Sequence, residues 1–412
     1  MTRRSFLLTC ATAAAAGAAP APSRKKVALI GTAMQKNFHA QHFVDRLALG
    51  YAWGGQWQAP RLDLAALFFD QFPAGDLARG RSERYHIPIF RSIADALTLG
   101  TGKLAVDGVV IIGEHGTYPK NEKGQTLYPR YEFFKEVVKV FEASGRSVPV
   151  FNDKHLSTEW KKCAEMVADS KRLGFPFLAG SSLPVTRRFP PVDLPWGVPL
   201  AESVCIGYGG VESYDFHGLE TAQCMSERRR GGEAGIRSVQ ALRGAKMWER
   251  VAGLEKTQRL LVAALTRSHT LPVTGYPTEA LSFAWARQSF PEALAYFIEH
   301  RDGFRTTLFM LPIRDFNYAG LDGESGAITS CQMHLPMPGT SSTTADFFNP
   351  LIHHIENMVL ENRTPYPIER TLLTSGTLIA AIESLHRDGA VIETPELEVR
   401  YTAPKESLFW TN

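Results

Sequence analysis

The sequence predicts an α/β protein with two domains: a doubly wound parallel sheet, followed by an α+β domain whose sheet is mostly antiparallel. The chain has 412 residues, 44% of them hydrophobic and 21% charged, a composition typical of a globular protein long enough for two cores. Short apolar strands alternate with helices of about 10–15 residues in the first part. A proline-rich stretch from Pro184 to Pro199 then ends that alternation.

The first 22 residues are set apart from the fold because they have the order of an export signal. Arg3 and Arg4 precede Phe6-Leu7, an alanine-rich apolar run follows, and Ala19-Pro20-Ala21 offers small residues for cleavage. This order is typical of a twin-arginine (Tat) signal peptide, and the run is too short for a stable membrane span. We therefore expect the Tat translocase as a partner during export and a periplasmic or other extracytoplasmic location.

The predicted N-terminal domain covers residues 23–183. Its strands are the apolar, β-branched runs 27–31, 62–69, 106–113, 148–151 and 176–179. Helices at 37–50, 132–144 and 158–173 alternate with them, and the last two are followed by Gly145 and Gly174 as stop signals. Strands that alternate with helices in this way predict a parallel sheet with right-handed crossovers.

The predicted second domain covers residues 184–412. Helices are predicted at 215–230, 254–265, 349–360 and 371–387, and strands at 306–313 and 327–334. Such a mixture favours helices packed on an antiparallel sheet.

Charge and cysteine content exclude several classes of function. The formal net charge is only +3, which gives no basis for a nucleic-acid or membrane surface. Cys163, Cys205, Cys224 and Cys331 show no metal-ligand or C-x-x-C spacing. Because Tat substrates fold in the reducing cytoplasm, we expect these four cysteines to be free thiols.

Polar residues follow the predicted strands at the edge where a doubly wound sheet binds ligands. Gly31-Thr32-Ala33 after the first strand and Asp70 after the second form the skeleton of a dinucleotide site. There the glycine permits a tight turn and the carboxylate accepts ribose hydroxyls. The full G-x-G-x-x-G pattern is absent, so a plain βα turn remains an equal interpretation. Glu114-His115 and Asn152-Asp153-Lys154-His155 follow the next two strands.

The run from Val148 to Leu156 resembles the V-x-x-E-K-P-L signature of the Gfo/Idh/MocA oxidoreductase family, with Asp153, Lys154 and His155 at the E, K and P positions. Gly209-Gly210 followed by His217 resembles the second signature of that family. Ser213 stands where the family has aspartate, and Asp215 is the nearest acid. The C-terminal region is also similar, and the resemblance covers residues 25–401.

This resemblance implies a Rossmann-like N-terminal domain, NAD or NADP as cofactor, a sugar or polyol as substrate, and a homo-oligomer. It implies that Lys154, His217 and Asp215 are the catalytic residues. It places the cofactor at Gly31, Thr32, Ala33, Asp70, Glu114, His115 and Asp153. Since a periplasm holds no free nicotinamide pool, an exported enzyme of this kind would have to hold its cofactor tightly.

Departures from the family pattern keep two alternatives open. Besides Ser213, they include His155 for proline and a polar insertion, residues 117–131, which is a candidate substrate lid. One alternative is a carbohydrate lyase or hydrolase, with or without a divalent metal. The metal-capable side chains are Glu114, His115, Asp153, His155, Asp215 and His217, to which we assign no metal. The other alternative is a binding protein that has lost its cofactor.

Overall fold

The computed structural model describes residues 23–272, 281–336 and 344–411, so the predicted export signal lies outside the described residues. The N-terminal elements, in chain order, are β1 (Lys26–Gly31), α1 (His39–Leu49), β2 (Tyr51–Trp53), β3 (Gln56–Gln58), β4 (Asp63–Phe69), α2 (Ala78–Tyr85), α3 (Ile93–Thr98), β5 (Gly108–Ile112), α4 (Arg130–Ser144), β6 (Val150–Asp153), α5 (Trp160–Leu173) and β7 (Phe177–Gly180).

The first sheet has the order β4-β1-β5-β6-β7, and its strands are parallel. Ile89 adds a parallel bridge to Leu67 at the outer edge of β4. With that bridge counted as the third strand, the order becomes 3-2-1-4-5-6, which is the order of dinucleotide-binding folds. The predicted doubly wound parallel sheet is therefore confirmed. α4 and α5 end at Gly145 and Gly174, both in the left-handed conformation.

The elements after the first sheet are β8 (Arg188–Phe189), β9 (Leu200–Gly207), α6 (Asp215–Ser226), β10 (Ile236–Arg243), α7 (Gly244–Ala252), α8 (Glu255–Leu265), α9 (Phe283–Ser289), β11 (Leu294–His300), β12 (Arg305–Met310), β13 (Phe316–Asp322), β14 (Ile328–Met333), α10 (Phe348–Glu361), α11 (Ile368–His386) and β15 (Ile392–Glu393). The second sheet has the order β15-β10-β11-β12-β9-β13-β14-β8. Among these described strands, β9 and β12 are parallel and the other neighbours are antiparallel, which confirms a mostly antiparallel sheet.

Helices cover both faces of the second sheet. α6 and α11 pack on one face, and the buried side chains of α7, α8 and α9 pack on the other. α6 lies between this sheet and the first one, since Phe216 and Leu219 share a core with Ala179 at the end of β7. This placement brings the first turn of α6 to the carboxyl ends of the parallel strands.

The last two long helices return to the N-terminal half. α10 packs on α1 and β2, while α11 contacts α5, α6 and β7. Residues beyond the predicted boundary at 183/184 thus share a core with the first sheet, and that boundary stays a prediction, as does the homo-oligomer.

Cys163, Cys205, Cys224 and Cys331 are buried and unpaired. Within the described ranges, no helix is long and apolar enough to cross a membrane.

Candidate functional site

The carboxyl ends of β5, β6 and β7 meet the beginning of α6, and a polar side chain lies at each of these four places. Glu114 follows β5, Lys154 follows β6, Ser181 follows β7, and His217 lies in the first turn of α6. All four are buried, with 6% or less of their surface exposed. Charged side chains are rarely buried to this extent unless they are paired, so their partners determine what the site can do.

Lys154 adopts a left-handed backbone conformation, with φ of 66°. Its backbone N–H donates to the carbonyl of Gly180 at 3.0 Å, which turns the chain out of the sheet. The Nζ atom lies 3.2 Å from Oε1 of Glu114 and donates to the backbone carbonyl of Ser213 at 3.1 Å. The Lys154 ammonium therefore contacts a main-chain oxygen of Ser213, the residue that stands where the family pattern has an aspartate.

Glu114 lies between two cations. Its Oε2 accepts a hydrogen bond from Nη2 of Arg130 at 3.1 Å, opposite the contact with Lys154. Burial alone would raise the pKa of Glu114. The charges of Lys154, His39 and Arg130 outweigh burial and hold that pKa well below its usual range. Glu114 is thus a permanent anion that keeps two cations in the crevice.

His155 lies on the far side of Arg130. Nη1 of Arg130 donates to Nε2 of His155 at 2.9 Å, and the guanidinium lies 5.1 Å from the centre of the Tyr128 ring. Burial, and next the charge of Arg130, lower the pKa of His155 to about 4, so this imidazole is neutral. Glu212 lies 3.6 Å from the same Nε2 and accepts a hydrogen bond from the backbone N–H of Thr126.

His217 contacts a serine and, through it, a second acid. Its Nδ1 lies 2.9 Å from Oγ of Ser181, and the Ser181 hydroxyl donates to the carboxylate of Glu220. Burial, with the charge of Lys154 as the next cause, lowers the pKa of His217 well below its ordinary value. Burial raises the pKa of Glu220 to about 7. A neutral imidazole and a carboxyl group that titrates near pH 7 are suited to acid/base chemistry.

Asp215 faces away from this cluster. Two residues along a helix correspond to about 200° of rotation, so Asp215 and His217 project from nearly opposite sides of α6. Oδ2 of Asp215 accepts a hydrogen bond from the hydroxyl of Tyr296, on β11, at 2.7 Å. Burial raises the pKa of Asp215 to about 6. The structure does not bring Asp215 together with Lys154, and its predicted catalytic role remains untested.

Asp153 and His115 lie where β5 and β6 approach α1. Oδ2 of Asp153 is 2.7 Å from Nδ1 of His39, the first residue of α1, while its Oδ1 has no hydrogen-bond partner among the described residues. The His115 ring stacks on Phe38 at 4.2 Å, and its Nε2 also has no hydrogen-bond partner in the part of the chain that the structure describes. Buried polar atoms are nearly always hydrogen-bonded in folded proteins, so these two atoms mark a place that suits a polar ligand.

The predicted cofactor residues of β1 and β4 lie at the other end of the crevice. Gly31, Thr32 and Ala33 are buried, and the Thr32 hydroxyl donates to the carbonyl of Glu114 at 2.6 Å, across the point where the strand order reverses. Asp70 is exposed and accepts a hydrogen bond from Tyr118 at 2.7 Å. The strand order and the exposed acid after the second strand fit a dinucleotide, with Asp70 available to ribose hydroxyls.

The polar insertion that we predicted as a lid spans the crevice. The side chain of Gln71 exchanges two hydrogen bonds with the backbone of Thr117, at 3.0 and 2.9 Å. Farther along, Lys123 forms an ion pair with Glu383 on α11, and the backbone N–H of Thr126 donates to Glu212. The segment is thus held at the end of β4, at α11 and at the loop before α6. Its function as a lid remains a prediction.

The metal-capable side chains do not converge. In the described part of the chain, no group of three or more histidine, cysteine, aspartate or glutamate residues has the geometry to hold a metal ion. Asp215 faces Tyr296, while His217 faces Ser181.

Several residues of the site were not predicted from the sequence. Ser181 lies two residues after the predicted strand 176–179, so the rule that selected Lys154 also applies to Ser181. Glu220 lies one helical turn after His217, which places it on the same face of the predicted helix. Arg130, Glu212 and His39 carry no such local signal. They reach the cluster from an insertion, from the loop before α6 and from the beginning of α1.

Comparison with known proteins identifies the fold. No protein-family model and no curated protein matches the sequence. Among solved structures, GenD2 from gentamicin A biosynthesis, in complex with NAD, is 13% identical with a TM-score of 0.55, and the match covers 90% of this chain and 96% of that one. The scyllo-inositol dehydrogenase from Lactobacillus casei is 10% identical with a TM-score of 0.54 (90% and 98% covered).

The myo-inositol dehydrogenase from Lactobacillus casei, in complex with NAD(H) and myo-inositol, is 11% identical with a TM-score of 0.53, and the match covers 90% of this chain and 96% of that one. At such identities the likeness shows the fold alone. The fold expected from the resemblance to the Gfo/Idh/MocA family, a parallel sheet followed by a mostly antiparallel one, is therefore confirmed.

Proposed function

We propose that this chain is an exported oxidoreductase that acts on a carbohydrate or polyol with a tightly held NAD or NADP. The observation that carries the proposal is the Lys154 ammonium, which is buried against Glu114 at 3.2 Å and lies in the same crevice as His217. The fold is shared with solved structures of inositol dehydrogenases, one of them in complex with NAD(H) and myo-inositol.

The proposed chemistry needs a proton to leave a substrate hydroxyl while hydride leaves its carbon. Lys154 donates a hydrogen bond to that oxygen, and its positive charge favours the alkoxide. Glu114 keeps the ammonium in place through the 3.2 Å ion pair. His217, held neutral by burial, accepts the proton. A bound nicotinamide would supply the hydride acceptor, and Asp70 would hold its ribose.

Export gives this proposal a second requirement. Arg3 and Arg4, within the predicted signal, would direct the folded protein through the Tat translocase together with its cofactor. Outside the cytoplasm the enzyme would have to reoxidise or reduce that cofactor in place. Cofactor retention is therefore the property that decides the function.

The test is to express the full chain in a Tat-competent bacterium and to purify it from the periplasm. We expect one NAD or NADP per chain in the mass spectrum of the native protein, and absorbance of reduced nicotinamide after addition of an oxidisable sugar or polyol. The control replaces Arg3 and Arg4 by lysine, and this variant should stay in the cytoplasm. Protein without nicotinamide, and without sugar-dependent reduction of added NAD or NADP, would overturn the proposal.

One observation favours a second candidate, a non-redox lyase or hydrolase of carbohydrates. The hydrogen bond from Thr32 to Glu114 and the Phe38–His115 ring stack both lie across the β1–β5 crevice. Both contacts join residues on either side of the point where the strand order reverses, which is where folds of this type bind a dinucleotide. Sugar conversion by the cofactor-free protein, with no change in nicotinamide absorbance, would support this candidate.

A further inference from the structure

The Ser181 hydroxyl has three polar neighbours and only one proton to give. Its Oγ lies 2.9 Å from Nδ1 of His217, receives the backbone N–H of Leu183 at 3.3 Å, and donates to the carboxylate of Glu220. A hydroxyl provides one donor and two acceptor sites, so all three are in use.

The tautomer of His217 follows from these bonds. An ionised carboxylate can only accept a hydrogen bond, and a backbone N–H can only donate one. The single proton of Ser181 therefore goes to Glu220, and the remaining lone pair of Oγ must receive a proton from His217 Nδ1. A neutral imidazole with its proton on Nδ1 has an unprotonated Nε2.

We infer that Glu220, acting through Ser181, is a positioning residue that holds His217 in the Nδ1–H tautomer and leaves Nε2 free to accept a proton. The tautomer is a property of the folded chain alone. The identity of the proton donor, a substrate hydroxyl, rests on the function proposed above. Glu220 would thus supply the orienting acid in a chain that has Ser213 at the aspartate position of the family signature.

The surrounding structure is built to hold Glu220 in this place. Both of its carboxylate oxygens accept the backbone N–H of Ser181, at 3.1 and 3.0 Å. Gly180, at φ of +122°, permits the approach, since a Cβ there would lie 2.3 Å from Oε1 of Glu220. Glu220 is fully buried and lies three residues after His217, on the same face of α6.

Other ionisable groups face this pair from neighbouring elements. Arg370 on α11 lowers the pKa of Glu220, and Asp153 on β6 raises it, but both effects are smaller than that of burial. Lys154, His39, Glu114 and His155 act on His217.

Protonation of Glu220 is expected to reverse the hydrogen bonds. A neutral carboxyl group donates to Ser181, whose own proton then points to Nδ1 of His217, and the imidazole carries its proton on Nε2. Glutamine at position 220 would imitate this state, because its amide group can donate to Ser181 at every pH. Carboxyl-to-amide replacement next to a catalytic histidine gives the wrong tautomer in serine proteases and lowers kcat by about 10⁴-fold.

The experiment combines NMR of the full-length protein as purified with kinetics in the presence of NAD or NADP. Histidine-labelled protein is examined at pH 8 by long-range ¹H–¹⁵N spectra, and the His217 signal is assigned from its loss in His217→Gln. We expect Nδ1–H in the wild type, Nε2–H in Glu220→Gln, and no fixed preference in Ser181→Ala. Ser182→Ala, a change in the adjacent buried serine, is the control and should keep Nδ1–H.

Kinetics separate positioning from a structural role. We expect Glu220→Gln and Ser181→Ala to lose at least about 10²-fold in kcat with a nearly unchanged KM. An Nε2–H tautomer in the wild type, or an unchanged tautomer in Glu220→Gln at an unchanged melting temperature, would overturn the inference. A tautomer that responds as expected, in a protein without any nicotinamide-dependent activity, supports the inference and rejects the proposed oxidoreductase.

Discussion

At the β1–β4 end of the crevice, Asp70 is exposed and its hydrogen-bond partner is the hydroxyl of Tyr118. At the β5–β7 end, Glu114, Lys154 and His217 are buried and each contacts another polar group. An exposed carboxylate keeps most of its hydration, so it can bind a ligand at little cost to the fold. Buried ions cost several kcal/mol each unless they are paired. We call the β1–β4 end the binding end and the β5–β7 end the chemical end, after the roles that the proposed function gives them.

Burial at the chemical end also determines which side chains carry a charge. Burial lowers the pKa of His115 and of His155 to about 4, and it also lowers the pKa of His217 well below its usual value. These imidazoles are therefore neutral at pH 7, while Lys154 and Arg130 pair with Glu114. A site with neutral histidines beside fixed cations can accept a proton without first losing one.

The largest effect in this comparison is expected from Lys154→Ala. Removal of the ammonium takes away the proposed hydrogen bond to the substrate oxygen, and we expect kcat/KM to fall by about 10²- to 10⁴-fold. Glu114 keeps its contact with Arg130, so the fold should persist. The measurement is the steady-state rate of sugar-dependent nicotinamide reduction, accompanied by a thermal melt.

Lys162→Ala is the matched control for this variant. Its ammonium pairs with Glu132 and Glu159 on the surface of the N-terminal domain. Such exposed pairs contribute little to stability, and we expect wild-type kinetics. Full activity of Lys154→Ala would remove that residue from the mechanism and would reject the division into a binding end and a chemical end.

The first sheet could be predicted from the sequence because its strands are buried on both faces. β5, for example, consists of Gly108–Ile112 and is apolar throughout. β10 (Ile236–Arg243) was missed because its polar and apolar residues do not alternate regularly, and β11 (Leu294–His300) contains alanine and glutamate, which favour helices. Both are strands because they pair with each other although they lie far apart along the chain.

Part of the candidate site could likewise be predicted from the sequence, and part of it could not. Lys154 and Ser181 lie directly after strands of the first sheet, so topology alone brings them together. Arg130 contacts Glu114 from the beginning of α4, at the end of the insertion, and no spacing rule reports such a contact. Asp215 and His217 are close along the chain, but the rotation of the helix directs them to different partners.

A smaller effect is expected from Glu220→Gln on the pH dependence of stability. Burial raises the pKa of Glu220 to about 7 in the folded protein, above its unfolded value. The folded state therefore favours the protonated acid, and the wild type loses stability as the pH rises from about 4.5 to 7. Glutamine does not titrate, so the variant escapes this loss. We expect the difference in free energy of unfolding, variant minus wild type, to increase by about 3 kcal/mol between pH 4.5 and 8.

Urea denaturation at both pH values measures this difference. Asp215, whose pKa is raised to about 6, titrates in both proteins and so cancels. A difference that stays constant with pH would show that the Glu220 carboxyl group is already ionised in the acid range. Burial of Glu220 would then not move its titration to neutral pH, and the contrast between the chemical end and the binding end would lose this support.

The smallest effect is expected from Asp70→Ala, at the binding end. Loss of one charged acceptor for a ribose hydroxyl should weaken NAD binding by about tenfold, since hydrogen bonds to charged groups contribute about 1.5–3 kcal/mol. The free energy of unfolding should change by less than about 0.5 kcal/mol, because the side chain is exposed. Isothermal titration of NAD into cofactor-free protein tests this, with Asp388→Ala, whose side chain is 94% exposed, as the control. Unchanged affinity in Asp70→Ala would mean that the β1–β4 end does not hold a ribose, and the non-redox candidate would then be favoured.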